Sequence, residues 1–372
     1  MNNNCELDSE IMEDTITQIQ SGNCTPIISD QLVLEMLFGK NVIAPKWAEQ
    51  TKYPLSERDS LPSIAQFVSL RKRSSALTAK RQYLAFLKTE FIAQERKRQK
   101  LAQSSSPPVG AEEVSAPNLL LDLDMMEPEL MHSNVSFSDV VIKHLQYKGL
   151  EKDANNPLLI LAGFDIKRFF TTSPHFFLEH ALSKKRIHPK VYRWKAQMED
   201  IPEDYSDKAE DHAADGKVYK PSVEEPLVYH LFGIDEQPSS MVLTEDDYFE
   251  FLLEARDNFK EVGYGSSAES GGVPSYVRNA ITSGTLLLMG YEIDSWDLRV
   301  ILRGLVQQLE RNDNNKSVAI QFDSTRLEKD GSRILDPEVY REYLENSFEH
   351  IKFNVIWADP NVFLAELKRK LG

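Results

Sequence analysis

The chain has 372 residues, 41% of them apolar, which suits one large α/β domain with an insertion or two domains. Its formal net charge of −15 argues against a protein that coats nucleic acid, because phosphate contacts need clustered Lys and Arg. No apolar run reaches the ~18 residues of a membrane span, the acidic start MNNNCELDSEIMED does not read as a signal peptide, and only Cys5 and Cys24 occur, so a disulfide framework and a four-cysteine zinc site are excluded and a reducing cytoplasm is expected.

Residues 1–21 read as a polar tail with a short helix around 11–20, and residues 22–372 as the α/β domain. CTPIIS at 24–29 reads as the first buried strand. A helical region runs on through Trp47, YPL at 53–55 makes a turn, and a second helix starts near Asp59. Over 76–103, Tyr83, Phe86, Leu87 and Phe91 recur at spacings of three and four, which gives one apolar helical stripe. Ten basic residues lie between Arg71 and Lys100, and without aromatics interleaved among them they read as a solvated helix face. Residues 103–118, QSSSPPVGAEEVSAPN, have the composition of a flexible connector. LLLDLDMMEPEL after it alternates apolar and acidic residues and reads as a docking segment or as chain ordered against the core.

DIKRFFTTSPHFFLEHAL at 165–182 and YRW at 192–194 are two further runs, whose assignment as a strand with its turn and as a strand segment is implied by resemblance to a known family. Residues 197–216 hold eight carboxylates and only Lys208 as a base. The ligand offsets of a calcium loop are missing, so this is a solvated acidic loop with no metal. In PLVYHLFGIDEQPSSMVLTEDDYFEFL a strand carries His230 into a Gly233 turn, a second strand ends at Leu243, and Thr244 opens a helix. TEDD there fits a capping box, a hydroxyl at the N-cap with a carboxylate three residues on. The glycine-rich run 263–272 has no strand before it and reads as a mobile loop rather than a phosphate cradle. LLLMGYEIDSWDLRVILRGL is an apolar strand, a Gly290 loop and a helix from about Trp296. A strand at 316–323, a helix at 336–348, a strand at 351–359 and a last helix with Pro360 near its start complete the order. This alternation predicts an α/β fold, a Rossmann-like, mostly parallel sheet flanked by helices, with helical insertions between 47 and 137.

Taken in order, the runs around Thr172, His230, the TEDD box and Gly290 resemble the sirtuin-like domain of bacterial NAD-consuming, antiphage defence proteins, over roughly residues 22–371. The resemblance implies NAD as cofactor and its hydrolysis to nicotinamide and ADP-ribose. It places His230 on the family's catalytic histidine, a base beside the ribose, a task that suits imidazole. Ser173 falls on the catalytic asparagine, His175 on an aspartate, and Ser29, Thr172, Gly290 and Glu292 fall on positions around the cofactor. Three of these depart from the pattern. Serine lacks the reach and the paired donor and acceptor of asparagine. Pro26, Ile27, Ile28, Ser29 and Asp30 stand where the family has a glycine-rich turn, and Glu292 replaces a small hydroxyl residue. Without zinc-ribbon cysteines, lysine deacylation is not implied. The expectation is a catalytically impaired relative of these hydrolases. The alternatives are an active NAD hydrolase, or a non-enzymatic module that senses a nucleotide or ADP-ribose ligand or acts as a scaffold for a protein partner or a second copy. Nucleic acid and membrane are not expected partners.

Overall fold

The structure, a computed structural model, describes residues 9–104, 123–153, 155–194, 219–260, 277, 280–281, 284–292, 295–306, 318–322, 336–349 and 353–371. Of the connector expected at 103–118, Gln103 and Ser104 are the last residues of a helix instead, and 105–118 lie outside the described residues, as do the acidic loop and the glycine-rich run.

Seven strands pair into one sheet: β1 (Cys24–Ile28), β2 (Arg168–Thr171), β3 (Lys190–Arg193), β4 (Leu227–His230), β5 (Thr285–Met289), β6 (Val318–Phe322) and β7 (Phe353–Trp357). Their order is β3-β4-β2-β1-β5-β6-β7, and every neighbouring pair is parallel. A parallel sheet covered on both faces needs strands that are apolar at nearly every position. β1, β4 and β5 are buried at every residue. Pro26 lies inside central β1 and has no N–H to give, and the ladder to β2 begins only after it, at Ile27 opposite Phe170.

Successive side chains on a strand point to opposite faces, and the core divides accordingly. Ile28, Phe169, Val228, Leu287 and Met289 face one layer of helices. It comprises α1 (Ser9–Gln20), α2 (Asp30–Phe38), α3 (Ile43–Thr51), α4 (Leu61–Ser69), α5 (Ala76–Ser104), α6 (Leu123–Leu130), α7 (Phe137–Asp139), α8 (Gly149–Lys152), α9 (Pro157–Leu161) and α10 (Phe177–Lys184), with α14 (Pro360–Leu371) closing it. Ile27, Phe170, Tyr229, Leu286 and Leu288 face α11 (Glu245–Lys260), α12 (Trp296–Ile301) and α13 (Pro337–Glu349). Each such side chain taken from water contributes about 1.5–3 kcal/mol, so the central strands dominate the fold's stability.

Two local expectations change. No strand forms before Leu243: the chain after Gly233 makes a single 3₁₀ turn at Pro238–Ser240 and then runs irregularly into α11. Gly233 has φ +75°, and a Cβ there would lie 2.1 Å from the Ser240 carbonyl oxygen, so the loop folds back on itself and cannot pair as an extended strand. On α5, Lys80 and Lys88 lie on the buried face with Tyr83, Leu84, Leu87 and Phe91, not on a solvated one. They fall at the same three-and-four spacing as the apolar stripe. Of the run LLLDLDMMEPEL, the part within α6 is ordered against the core, through buried Leu123 and Leu130.

Candidate functional site

In the strand order, β2 and β5 flank β1, while the chain visits them after β1 on opposite sides; this is the switch point where open α/β sheets form a crevice beyond the strands' C-terminal ends. The rim is built from the turns that follow these three strands.

After β1, Ser29 caps α2 by accepting the Leu32 amide at 3.0 Å, and its hydroxyl donates to the Gly290 carbonyl. Gly290 has φ +74°, and a Cβ there would meet Leu32 Cβ at 2.5 Å, so only glycine lets the β5 turn sit against the start of α2. After β2, Thr172 Oγ1 accepts the Asp30 amide at 3.0 Å and donates to Asp297 Oδ2 at 3.2 Å. Ser173 donates to Asp30 Oδ1 at 2.7 Å. Glu292 accepts from Gln31 Nε2 at 2.6 Å. Thus Ser29, Thr172, Ser173, Gly290 and Glu292, all singled out in the sequence, converge on the first turn of α2. The first amides of that helix are occupied from within: Ser29 takes Leu32 N, Thr172 takes Asp30 N, and the partly buried Asp30 carboxyl sits beside them. Burial holds this carboxyl above the usual range, against the opposing charge of His175 and the Ser173 hydrogen bond.

His230 ends β4 and is wholly buried. Its Nδ1–H donates to the Ser173 carbonyl at 2.7 Å, and Nε2 lies 2.7 Å from Glu179 Oε1 on α10. Burial disfavours the imidazolium, but the Glu179 carboxylate, its hydrogen bond and the Ser173 carbonyl prevail and raise the pKa above its ordinary value. Both ring nitrogens are engaged, so service as a base would require one of them to be released. His175, at the family's aspartate position, is also buried. Its Nδ1 lies 2.8 Å from Asp235 Oδ2, an oxygen that also accepts from Ser138 N and Oγ. Its Nε2 has no hydrogen-bond partner.

The sequence did not mark Asp297, Tyr248 or Tyr83 for this place. Asp297, two residues after the N-cap Ser295 of α12, accepts from Tyr248 OH as well as from Thr172. Burial first, and then the charge of Asp30, push its carboxyl up to about 6, against the bonds from Tyr248 and Thr172. Acidic residues are ordinary in a helix's first turn, so sequence carried no separate signal for it. Tyr83 of α5 read only as part of an apolar stripe.

The TEDD run turns outward to the helical insertion. Asp247 N donates to Thr244 Oγ1 at 3.2 Å, and Thr244 N to Asp247 Oδ2 at 2.8 Å, which is the capping box expected. Its carboxylates also hold the insertion: Lys80 binds Asp247 at 2.7 Å, Gln66 binds Asp246 at 2.7 Å, and Ser63 binds Glu245 at 2.6 Å. Gln66 thus serves α11, through the Asp246 amide and carboxylate. A separate pocket of about 400 Å³, lined in part by Trp47, Arg71, Phe86 and Met131, holds none of the predicted site residues. Among the described residues no cluster of His, Cys, Asp and Glu could hold a metal ion, and no helix is long and apolar enough to cross a membrane.

No curated protein matches the chain. A family model described as SIR2-like domain matches residues 167–349. The match takes in β2 to β6 and so carries Thr172, Ser173, His230, Gly290, Glu292 and Asp297, while β1 with Ser29 and Asp30 precedes it. Over residues 167–349, therefore, the chain is similar to the SIR2-like domain, and that stretch is set in a parallel α/β sheet whose central strand comes from upstream of the match.

Proposed function

We propose that the protein is a catalytically impaired relative of the NAD hydrolases that its SIR2-like domain resembles, and that it acts as a binding or interaction module in bacterial defence or signalling, in the cytoplasm. SIR2-like domains are NAD-related, so the first question is whether these residues fit that cofactor. A dinucleotide's pyrophosphate is held by free amides at a helix N-terminus approached through glycine. The single observation that carries the proposal is the start of α2, where Ser29 and Thr172 take up the amides and Asp30, bonded to Ser173, adds a carboxyl. Wholly buried Ile27 and Ile28 stand before it in place of glycine. These residues do not fit a pyrophosphate. At the chemical end, Ser173 spends its hydroxyl on Asp30, and His230 is held between Ser173 and Glu179. A protein partner or a second copy of the chain is then the natural recipient of whatever the module binds.

Incubating the purified chain with NAD and following nicotinamide release by chromatography tests this. Loss of one positioned catalytic hydrogen bond costs about 10²–10³ in rate, so release near the buffer background is expected. Vigorous hydrolysis by the unmodified chain, abolished in His230→Ala, would instead establish an active NAD hydrolase.

A further inference from the structure

The pocket of about 400 Å³ lies on the helical insertion, among α3, α5 and the chain leaving α6. Small-molecule sites occupy about 300–1,000 Å³ and are mostly apolar, with a few polar groups that fix orientation. The floor here is apolar: Trp47 and Phe86 are buried, and half-buried Ala85 and Met131 stand beside them. The α5 side follows from spacing, since Gln82, Ala85 and Phe86 fall three and four apart on one helical face. No carboxylate lines the pocket among the described residues, and its charged lining residue is Arg71, in the turn after α4. Arg71 Nη1 donates to the Thr51 carbonyl at 3.3 Å, and its guanidinium carbon lies 5.8 Å from the centre of the Phe67 ring. Among the described residues no carboxylate neutralises it, and most of its five N–H donors keep no protein acceptor. Lys72 and Arg73 follow, both exposed, so this turn is cationic in a chain of net charge −15.

We propose that this pocket binds a small carboxylate with an apolar, ring-sized body. The carboxylate pairs with Arg71, and the body lies on Phe86, Ala85 and Met131. The chemistry selects the class. A cation is repelled by Arg71 and meets no carboxylate in the lining. A phosphate ester brings close to two negative charges, but the lining offers one guanidinium. At Thr51, moreover, α3 ends, so that helix presents carbonyl oxygens there rather than amides. A carboxylate carries a single charge and accepts two parallel N–H bonds from a guanidinium fork. A neutral apolar ligand would leave that fork unmatched. The site is separate from the crevice and does not depend on whether NAD binds there.

The test is ligand-observed saturation-transfer NMR on the full chain. It titrates 3-phenylpropanoate and its neutral counterpart 3-phenylpropanamide, with acetate as the control for charge alone. The acid should bind saturably, the amide about tenfold more weakly, and acetate not detectably. Arg71→Met keeps the apolar stem of an exposed side chain and removes its charge. It should raise the Kd of the acid about tenfold and leave that of the amide unchanged. Gln82→Trp, at an exposed position on the α5 side, should fill the pocket and weaken acid and amide alike. Both variants should keep the wild-type Tm. If Arg71→Met does not, Arg71→Lys takes its place: it retains the charge without the fork and should lose part of the preference for the acid. Equal affinity for acid and amide overturns the site. So does wild-type affinity for the acid in the Arg71 variant, binding undisturbed by Gln82→Trp, or no saturable binding of the acid.

Discussion

Lys80→Met should loosen the attachment of the helical insertion to α11. Lys80 Nζ lies 2.7 Å from Asp247 Oδ1, and the two side chains are only 6% and 11% exposed. Methionine keeps most of the apolar stem and removes the charge. Breaking a buried ion pair by deleting one partner costs about 3–5 kcal/mol, because the other charge stays buried. Here Asp247 Oδ2 keeps the Leu243 and Thr244 amides at 3.1 and 2.8 Å. The N-terminal end of α11 also favours a carboxylate, by about 0.3–1 kcal/mol. The lower end is therefore expected, about 3 kcal/mol. With an m-value of about 3 kcal/mol/M that is a shift of about 1 M in the urea midpoint. The assay is equilibrium urea unfolding of wild type, Lys80→Met, Asp247→Asn and the double variant, and the coupling energy of the cycle reports the pair itself. A loss below about 1 kcal/mol, the range of exposed pairs, would show that solvent screens this contact and that the insertion is not fastened to α11 here.

Two further outcomes follow from the site and its loops. Asp297 is raised to about 6 from 3.8, so its folded-state pKa exceeds its unfolded one; its contribution to stability is fully present below about pH 4 and is lost as pH rises through about 6. The difference in unfolding free energy between wild type and Asp297→Asn should fall by about 2–3 kcal/mol between pH 4 and pH 7, and a flat difference refutes the burial of this carboxyl beside Asp30. Gly233→Ala should cost clearly more than Gly39→Ala by thermal unfolding: both have positive φ, but the new Cβ meets the Ser240 carbonyl oxygen at 2.1 Å in the first and only Val42 at 3.8 Å in the second. Equal losses would show that the Gly233 loop does not fold back as described.

The sequence by itself determined the elements whose signal is local. β1, β4 and β5 are legible as apolar runs, because a strand buried on both faces must be apolar at every position, whereas edge strand β3, Lys190–Arg193, carries no such signal. The capping box at Thr244, the breaking glycines and the charge that Asp30 brings to the end of β1 were also readable, since each acts within a few residues. Tertiary structure decided what those residues meet. Ser173 reaches Asp30 across 143 residues of chain, a pairing set by which strands flank β1 and not by any periodicity. The turn past Gly233 looked like a strand because apolar composition does not report the backbone reversal that its glycine permits. Lys80 and Lys88 looked solvated because charge usually means exposure, whereas their positions on α5 put them against the core, where Lys80 meets a carboxylate and Lys88 the carbonyl of His132. His230 was recognisable as a polar group at a strand end. That Glu179 and the Ser173 carbonyl hold both its nitrogens depends on α10 and the β2 turn packing over β4, a contact that only the folded chain makes.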